Sequence, residues 1–194
     1  MTGILSRVAE SALITAPTFR WMSFRRWTPY FFNAFQRVER AAFPPSLHYS
    51  RDELKDRASR HGFEGLILFD TRGPAACILI NQGRNSRTLY LDTLAVSVPK
   101  LGLGGRLLQA LLIEATEEGY MRVDLDTEMT NDSGMSLVDW YHRYGFRITQ
   151  TEDSKGNVGM SCDLSEKLKR ELPDSPIALF SPVARENMPI HRIL

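Results

Sequence analysis

Residues 98–106 read Val-Pro-Lys-Leu-Gly-Leu-Gly-Gly-Arg, and a leucine-rich run follows at once. Gly102, Gly104 and Gly105 sit where an apolar strand-like stretch gives way to a helical stripe, Leu103, Leu107, Leu108, Leu111, Leu112 and Ala115. A helix N-terminus carries unpaired N–H groups and a partial positive charge, and glycines let an anion approach them. The chemistry this spacing offers is a phosphate cradle; its bland counterpart is a tight strand–helix turn. Two phosphate motifs fit poorly. A nucleotide P-loop ends in Lys-Ser/Thr, whereas Arg106-Leu107 follow Gly105. A dinucleotide fingerprint needs a third glycine where Leu107 stands, and a parallel sheet around it.

The elements that must position this loop are legible from periodicity. Residues 1–18 read as a short helix or loose arm with a weak stripe, Ile4, Val8 and Leu13, ended by Pro17. Residues 19–27 mix aromatics with Arg20, Arg25 and Arg26; a half-buried strand is expected there rather than a nucleic-acid patch. Phe32, Phe35, Val38 and Ala42 have helical spacing, and Pro44-Pro45 stops them. Ser50-x-x-Glu53 is a capping box for a short helix that Gly62 closes. Three strand-like runs, 63–70, 75–82 and 88–98, are joined by short turns and predict an antiparallel meander. After the glycine-led helix, which Gly119 closes, 121–128 is a strand. Asn131-Asp132-Ser133 offers N-caps for a helix through Tyr144, and two strands flank a turn at 154–157. A short helix is expected at 165–172, and an irregular arm beyond Pro173. The sum is a mixed α/β chain with one core.

Composition bounds the function. Lys plus Arg number 24 and Asp plus Glu 23, a net charge of +1 that argues against a nucleic-acid binder. Cys77 and Cys162 lie in apolar runs and read as buried thiols without metal-ligand spacing, so no metal is expected. No run is long enough for a bilayer span and the N-terminus lacks a signal-peptide core, which leads to a reducing, cytoplasmic setting with no membrane partner.

The stretch LDTLAVSVPKLGLGGRLLQALLIEA (91–115) resembles the acetyl-CoA-binding motif of the GNAT superfamily of N-acetyltransferases, Gln/Arg-x-x-Gly-x-Gly/Ala, with Gly102 and Gly104 at the two small positions. WYHRYGF (140–146) resembles the superfamily's Tyr-x-x-x-Gly-Phe signature through Tyr141, Gly145 and Phe146. Motif order, their separation and the element order from about residue 19 to about 164 agree with that family. Two positions depart from it: Pro99 stands at the Gln/Arg position with Lys100 beside it, and Gly134 stands where many members have asparagine, with Asn131 three residues earlier. The resemblance implies a central, mostly antiparallel, twisted sheet of six to seven strands flanked by about four helices. It implies an N-terminal arm (1–18), a catalytic domain (19–164) and a C-terminal extension (165–194). Acetyl-CoA is the implied acyl donor and a primary amine the acceptor, attacked directly; a non-catalytic acyl-CoA-binding or protein-interaction module of the same fold is the alternative.

The resemblance also assigns residues. The pyrophosphate falls to Lys100, Leu101, Gly102, Leu103, Gly104, Gly105 and Arg106. The pantetheine arm falls to the strand Leu94, Ala95, Val96 and Val98, with free backbone groups at Leu94, Val96 and Val98, and to Asn131 and Tyr141. One strand N–H is placed to polarise the thioester carbonyl. Tyr141 is the implied acid for the leaving thiolate; its structural counterpart is a core aromatic beside Leu137, Val138 and Tyr144. Asp92, in an apolar strand and expected on the face of Tyr90 and Leu94, is either the base for the amine or a capped strand aspartate. Asp124 and Asp126 are expected on the solvent face of their strand, and Asp139 on the outer face of its helix. His48, His61, His142 and His191 are dispersed and receive no role. The acceptor is expected at loops 43–52 and 150–158, which hold His48, Tyr49, Arg51, Glu152 and Asp153. The two ends are the segments available for a homodimer.

Overall fold

A strand joined through a single crossing helix to its neighbour in the same sheet normally runs parallel to it, because the helix carries the chain back along one face. That step organises this computed structural model, which describes residues 3–13, 19–97, 102–131, 134–151 and 156–167. The order is α1 (Ile4–Leu13), β1 (Arg20–Phe24), α2 (Pro29–Ala42), a 3₁₀ turn (Pro45–Leu47), α3 (Arg51–Ser59), β2 (Glu64–Asp70), β3 (Gly73–Gln82), β4 (Thr88–Val96), α4 (Leu103–Glu117), β5 (Arg122–Glu128), α5 (Leu137–His142), β6 (Arg147–Gln150), β7 (Asn157–Asp163) and α6 (Leu164–Lys167). Seven strands form one sheet in the order β1-β2-β3-β4-β5-β7-β6. Its neighbours are antiparallel except β4 and β5, the pair that α4 connects. The expected meander is β2-β3-β4.

Two layers cover the sheet. On one face α1 and α4 bury Leu5, Val8, Leu107, Leu108 and Leu111 against Leu66, Leu68, Ile78 and Ile80. On the other, α2 and α3 bury Phe31, Phe35, Val38 and Leu54 against Ile67, Cys77 and Leu79. β3 lies between both layers, so its residues from Ala75 to Asn81 are all buried and its apolar run is unbroken. Cys77 and Cys162 are buried free thiols.

Several local expectations shift in position. α2 turns its core stripe one residue, to Phe31, Ala34, Phe35 and Val38, leaving Phe32 and Ala42 half-buried. Pro at its first turn and Thr28, whose side chain accepts from the Phe31 N–H, set its start. α1 is a core helix along its described length: Leu5, Val8 and Ala9 have no exposure, and Arg7 pairs with the buried Glu114 at 2.8 Å. α5 begins at Leu137, with Ser136 as its cap, and not at 131–133. The preceding residues close a turn instead: the Met135 N–H donates to Asn131 Oδ1 at 2.9 Å, and Gly134 takes a positive φ of 75°.

Leu5 fills the space between α4 and β2, so truncating it leaves a cavity. Leu5→Ala lowers unfolding stability by about 3 kcal/mol, whereas Ile148→Ala, at an exposed site on the edge strand, stays within about 0.5 kcal/mol, both read from urea denaturation.

Candidate active site

The glycine loop enters α4 with Gly102 as its cap, in the left-handed region at φ 65°, a conformation that favours glycine. The Arg106 N–H makes the bond to Gly102 O at 3.1 Å that starts the helical ladder. The N–H groups of Leu103, Gly104 and Gly105 therefore lie ahead of the ladder, at the positive end of a 15-residue helix. Leu103 anchors this turn by burying its side chain at 5% exposure. Nothing lies within 4 Å of where a Gly102 Cβ would project, and a Gly104 Cβ would come 3.4 Å from Val96 Cγ2. A Cβ on Gly105 would collide with the Tyr144 hydroxyl. Arg106 is exposed at the rim. Val98, Pro99, Lys100 and Leu101 lie outside the described residues.

Behind this turn the sheet forks. β4 pairs with β5 only at Thr88–Arg122, Leu89–Val123 and Tyr90–Asp124, while it stays paired with β3 as far as Val96. The Ser97 N–H donates to Ala75 O at 2.8 Å, so Ser97 and Ala95 direct their backbone groups to β3. By alternation those of Leu94 and Val96 point into the fork. Ala95 is turned away: its backbone belongs to the β3 ladder and its side chain to the α2 core. Leu94 and Val96 pack on the α4 side.

Asp92 lies on the opposite face from Leu94, a correction to the simple alternation. The β3–β4 register slips at Leu79/Ile80, where Thr93 and Leu91 are the successive partners and Asp92 is the extra residue. The bulge keeps Tyr90 and Asp92 on the α2/α3 face. There the Asp92 side chain is 2% exposed and ion-paired to Arg57 of α3. Tyr49 donates its hydroxyl to Asp92 Oδ1 at 3.1 Å, and Asn81 Nδ2 donates to Oδ2 at 3.4 Å. Arg57 also stacks 4.4 Å over the Tyr49 ring. The Tyr49 N–H donates to Glu39 Oε1 at 2.9 Å, and burial pushes the Glu39 carboxyl above its ordinary range. Arg57 is a residue the sequence left unmarked. Its signal was indirect: a charge in the middle of an apolar strand needs a partner, and the capped α3 carries one.

Tyr141 lies on α5, buried to 9% exposure, with Trp140 at 4.8 Å and Phe146 at 5.5 Å meeting its ring edge to face. Burial raises its phenol above the ordinary value, so the group stays protonated around neutrality. Trp140 and Tyr144 of the same segment cover Gly104 and Gly105, so α5 closes over the first turn of α4. Asn131 is not brought to the fork by its oxygen, which accepts from Met135. Of the expected acceptor loops, 43–52 turns Tyr49 inward, and Glu152 and Asp153 lie outside the described residues.

A cleft of about 230 Å³ opens on the uncovered half of the α2/α3 face, lined by Tyr90, Asp124, Asp126, Gln150, Gly159 and Ser161 among others. Asp126 is exposed as expected of a solvent-facing strand position, yet Tyr90 donates to its Oδ2 at 2.8 Å.

The sequence profile of the acetyltransferase (GNAT) family matches residues 26–146. No curated protein matches the chain in sequence. Among solved structures, the ribosomal-protein-S18-alanine N-acetyltransferase from Escherichia coli superposes with a TM-score of 0.58 at 16% identity, covering 75% of this chain and 94% of that one. The aminoglycoside 6'-N-acetyltransferase from Enterococcus faecium gives 0.59 at 15% identity, covering 75% and 97%. The PaiA N-acetyltransferase from Thermoplasma acidophilum, solved with coenzyme A, gives 0.55 at 13% identity, covering 74% and 99%. These likenesses establish the fold.

The Asp92–Arg57 pair makes a stability prediction. Arg57→Met leaves Asp92 buried without its cation and costs about 3 kcal/mol in urea denaturation. Asp92→Asn added to it recovers at least half of that loss, because the uncompensated charge is gone.

Proposed function

The chain belongs to the acetyltransferase (GNAT) family, and we propose that it moves the acetyl group of acetyl-CoA to a primary amine by direct attack. The observation that carries this reading is the fork: β4 parts from β5 after Tyr90, and the gap leads to the glycine-lined start of α4. An extended chain bearing amides and ending in a pyrophosphate matches that sequence of groups. A relative of the same fold, solved with coenzyme A, supports the donor.

Bound acetyl-CoA supplies an activated acyl carbonyl and a sulfur leaving group. The N–H groups of Leu103, Gly104 and Gly105 hold the diphosphate, helped by the charge of Arg106 and, by sequence position, by Lys100, Leu101 and Gly102. The outward backbone groups of Leu94 and Val96, joined by sequence position alone by Val98, pair with the pantetheine amides as an added strand would. One of these N–H groups also polarises the carbonyl. Burial keeps the Tyr141 phenol protonated near neutrality, so a proton is in place for the departing sulfur and the group is no base there; the same burial makes it a weaker acid, so the proton moves only as charge develops on the sulfur. As the N–C bond forms and the C–S bond breaks, an ammonium acceptor gives up two protons. One replaces the proton that Tyr141 donates, and the other leaves to solvent. A lysine-like amine is neutral in only about one molecule per thousand at pH 7, so this deprotonation is a substantial part of the task. Asp92, with both oxygens engaged, serves by holding Tyr49 and Arg57 beside the bulge.

Calorimetry tests the donor site. Acetyl-CoA and CoA bind in the micromolar range and ATP does not; Gly104→Val, whose side chain fills the turn beside Val96, weakens both by at least about tenfold. Absence of CoA binding to the parent protein overturns the reading. For the acid, Tyr141→Phe lowers kcat on any accepted amine by about 100-fold and leaves CoA affinity intact. A variant as fast as the parent removes Tyr141 from the chemistry.

A further inference from the structure

Three carboxylates, Asp92, Asp124 and Asp126, share the α2/α3 face of β4 and β5, and their partners separate them. Asp92 is enclosed by Arg57, Tyr49 and Asn81. Asp124 is neutralised by Arg122 at 2.9 Å, and Ser161 donates to its Oδ1 at 2.6 Å. Asp126 is exposed; its Oδ2 accepts from Tyr90 at 2.8 Å, and among the described residues no donor reaches its Oδ1.

The surroundings of Oδ1 are shaped. Gly159 of β7 is the register partner of Asp126. A Cβ at Gly159 would sit 3.4 Å from Oδ1 and 3.0 Å from the Gln150 Cβ. Gly159 is not among the glycines with positive φ, so the residue is small for space and not for backbone conformation. The bare Cα lets Gln150 lie close against β7 and leaves the unengaged oxygen uncovered on that side. Tyr90 orients the carboxylate: its burial and its bond to Asp126 raise the phenol, so the O–H remains a donor. Asp126 also stands two residues beyond Asp124, the last β5 residue paired with β4. It is therefore on the lip of the fork, on the face away from α4, where the cleft opens.

We infer that Asp126 receives the charged amino group of the acceptor, and that the cleft of Tyr90, Asp126, Gln150 and Gly159 admits a cationic primary amine to the fork from the face opposite α4. This rests on the acetyl-transfer reading for the use made of the amine, but the recognition itself is a binding event that is measurable without turnover. Arg122 does not oppose it, being neutralised by Asp124, and Arg84, whose side chain is exposed, is the one cation lining the cleft that has no acidic partner among the described residues.

The test uses n-butylammonium and spermidine as probes, titrated by amide NMR into the full chain alone and into the chain with saturating CoA. The expected result is shifts at Tyr90, Asp126 and Gly159, with affinity reduced about 10- to 100-fold in Asp126→Asn, which keeps an acceptor for Tyr90 but removes the charge. Gly159→Ala, which sets a methyl against Asp126 Oδ1 and retains the carboxylate, also weakens the probes. CoA affinity, read by calorimetry, is the same in both variants as in the parent. Equal probe affinity in Asp126→Asn and parent overturns the inference, as does a parent whose cleft resonances do not move with either probe. Failure of CoA to bind the parent is a separate result: it removes the acetyl-transfer reading, while the titration of the chain alone still decides the role of Asp126.

Discussion

The rest of the site depends on one incomplete pairing. A parallel pair normally hydrogen-bonds along its length, yet β4 and β5 share only three register positions before parting. The groups proposed to meet the acyl donor lie beyond that point: the outward groups of Leu94 and Val96, the start of α4, and Tyr141 on α5. Unpaired strand groups in a dry interior are costly, so a fork of this kind persists where water or another chain completes the ladder. An extended amide-bearing molecule is such a completion, and the fork is then a binding site because it is an interrupted sheet.

Two features hold the strands apart. On the α2/α3 side, the extra residue at Asp92 breaks the alternation of β4, and the ion pair to Arg57 ties that bulge to α3. On the other side, Trp140 of α5 and Tyr144 of the turn that follows it lie against Gly104 and Gly105. Larger residues there would push α5 off α4. The glycines thus serve two neighbours, presenting N–H groups outward and admitting aromatic rings from the side. A buried ion pair contributes little net stability against apolar residues of the same size. Its presence at the bulge is better understood as fixing where Tyr49 and the strand lie than as strengthening the core.

The parts of this arrangement legible in the sequence are those set by local chemistry. Gly102-x-Gly104-Gly105 before a leucine stripe, the Ser50–Glu53 capping box and the alternation in 121–128 all depend on neighbours within a few residues, and all form where expected. The misplaced features depend on distant chain. Asp92 changes face because β3 dictates the register of β4. The cap of α5 moved from 131–133 to Ser136 because Asn131 found a nearer donor in its own turn. α1 reads as a weak stripe, yet it is buried because α4 presents Glu114 to Arg7 and an apolar groove to Leu5. The Tyr90–Asp126 contact joins residues 36 apart that become neighbours only through the parallel crossover. A periodicity that put Asp126 on the solvent face was sound, but it carried no information about which solvent-filled space that face bordered.

Charge gives the fork a direction. At the α4 end, three N–H groups and the helix dipole amount to roughly half a positive charge, and Arg106 adds to it. At the β5 lip, Asp126 brings a negative charge with one oxygen open, while Asp92 and Asp124 are each cancelled by an arginine. The chain as a whole is nearly neutral at +1, so this polarity is local and owes nothing to net charge. An anionic donor and a cationic acceptor would thus be drawn to opposite faces of one sheet and meet where β4 and β5 part. Neither would gain by taking the other's place. The separation comes from which carboxylates were given partners, and it is the half-buried Arg57 and the exposed Arg122 that leave Asp126 as the open one.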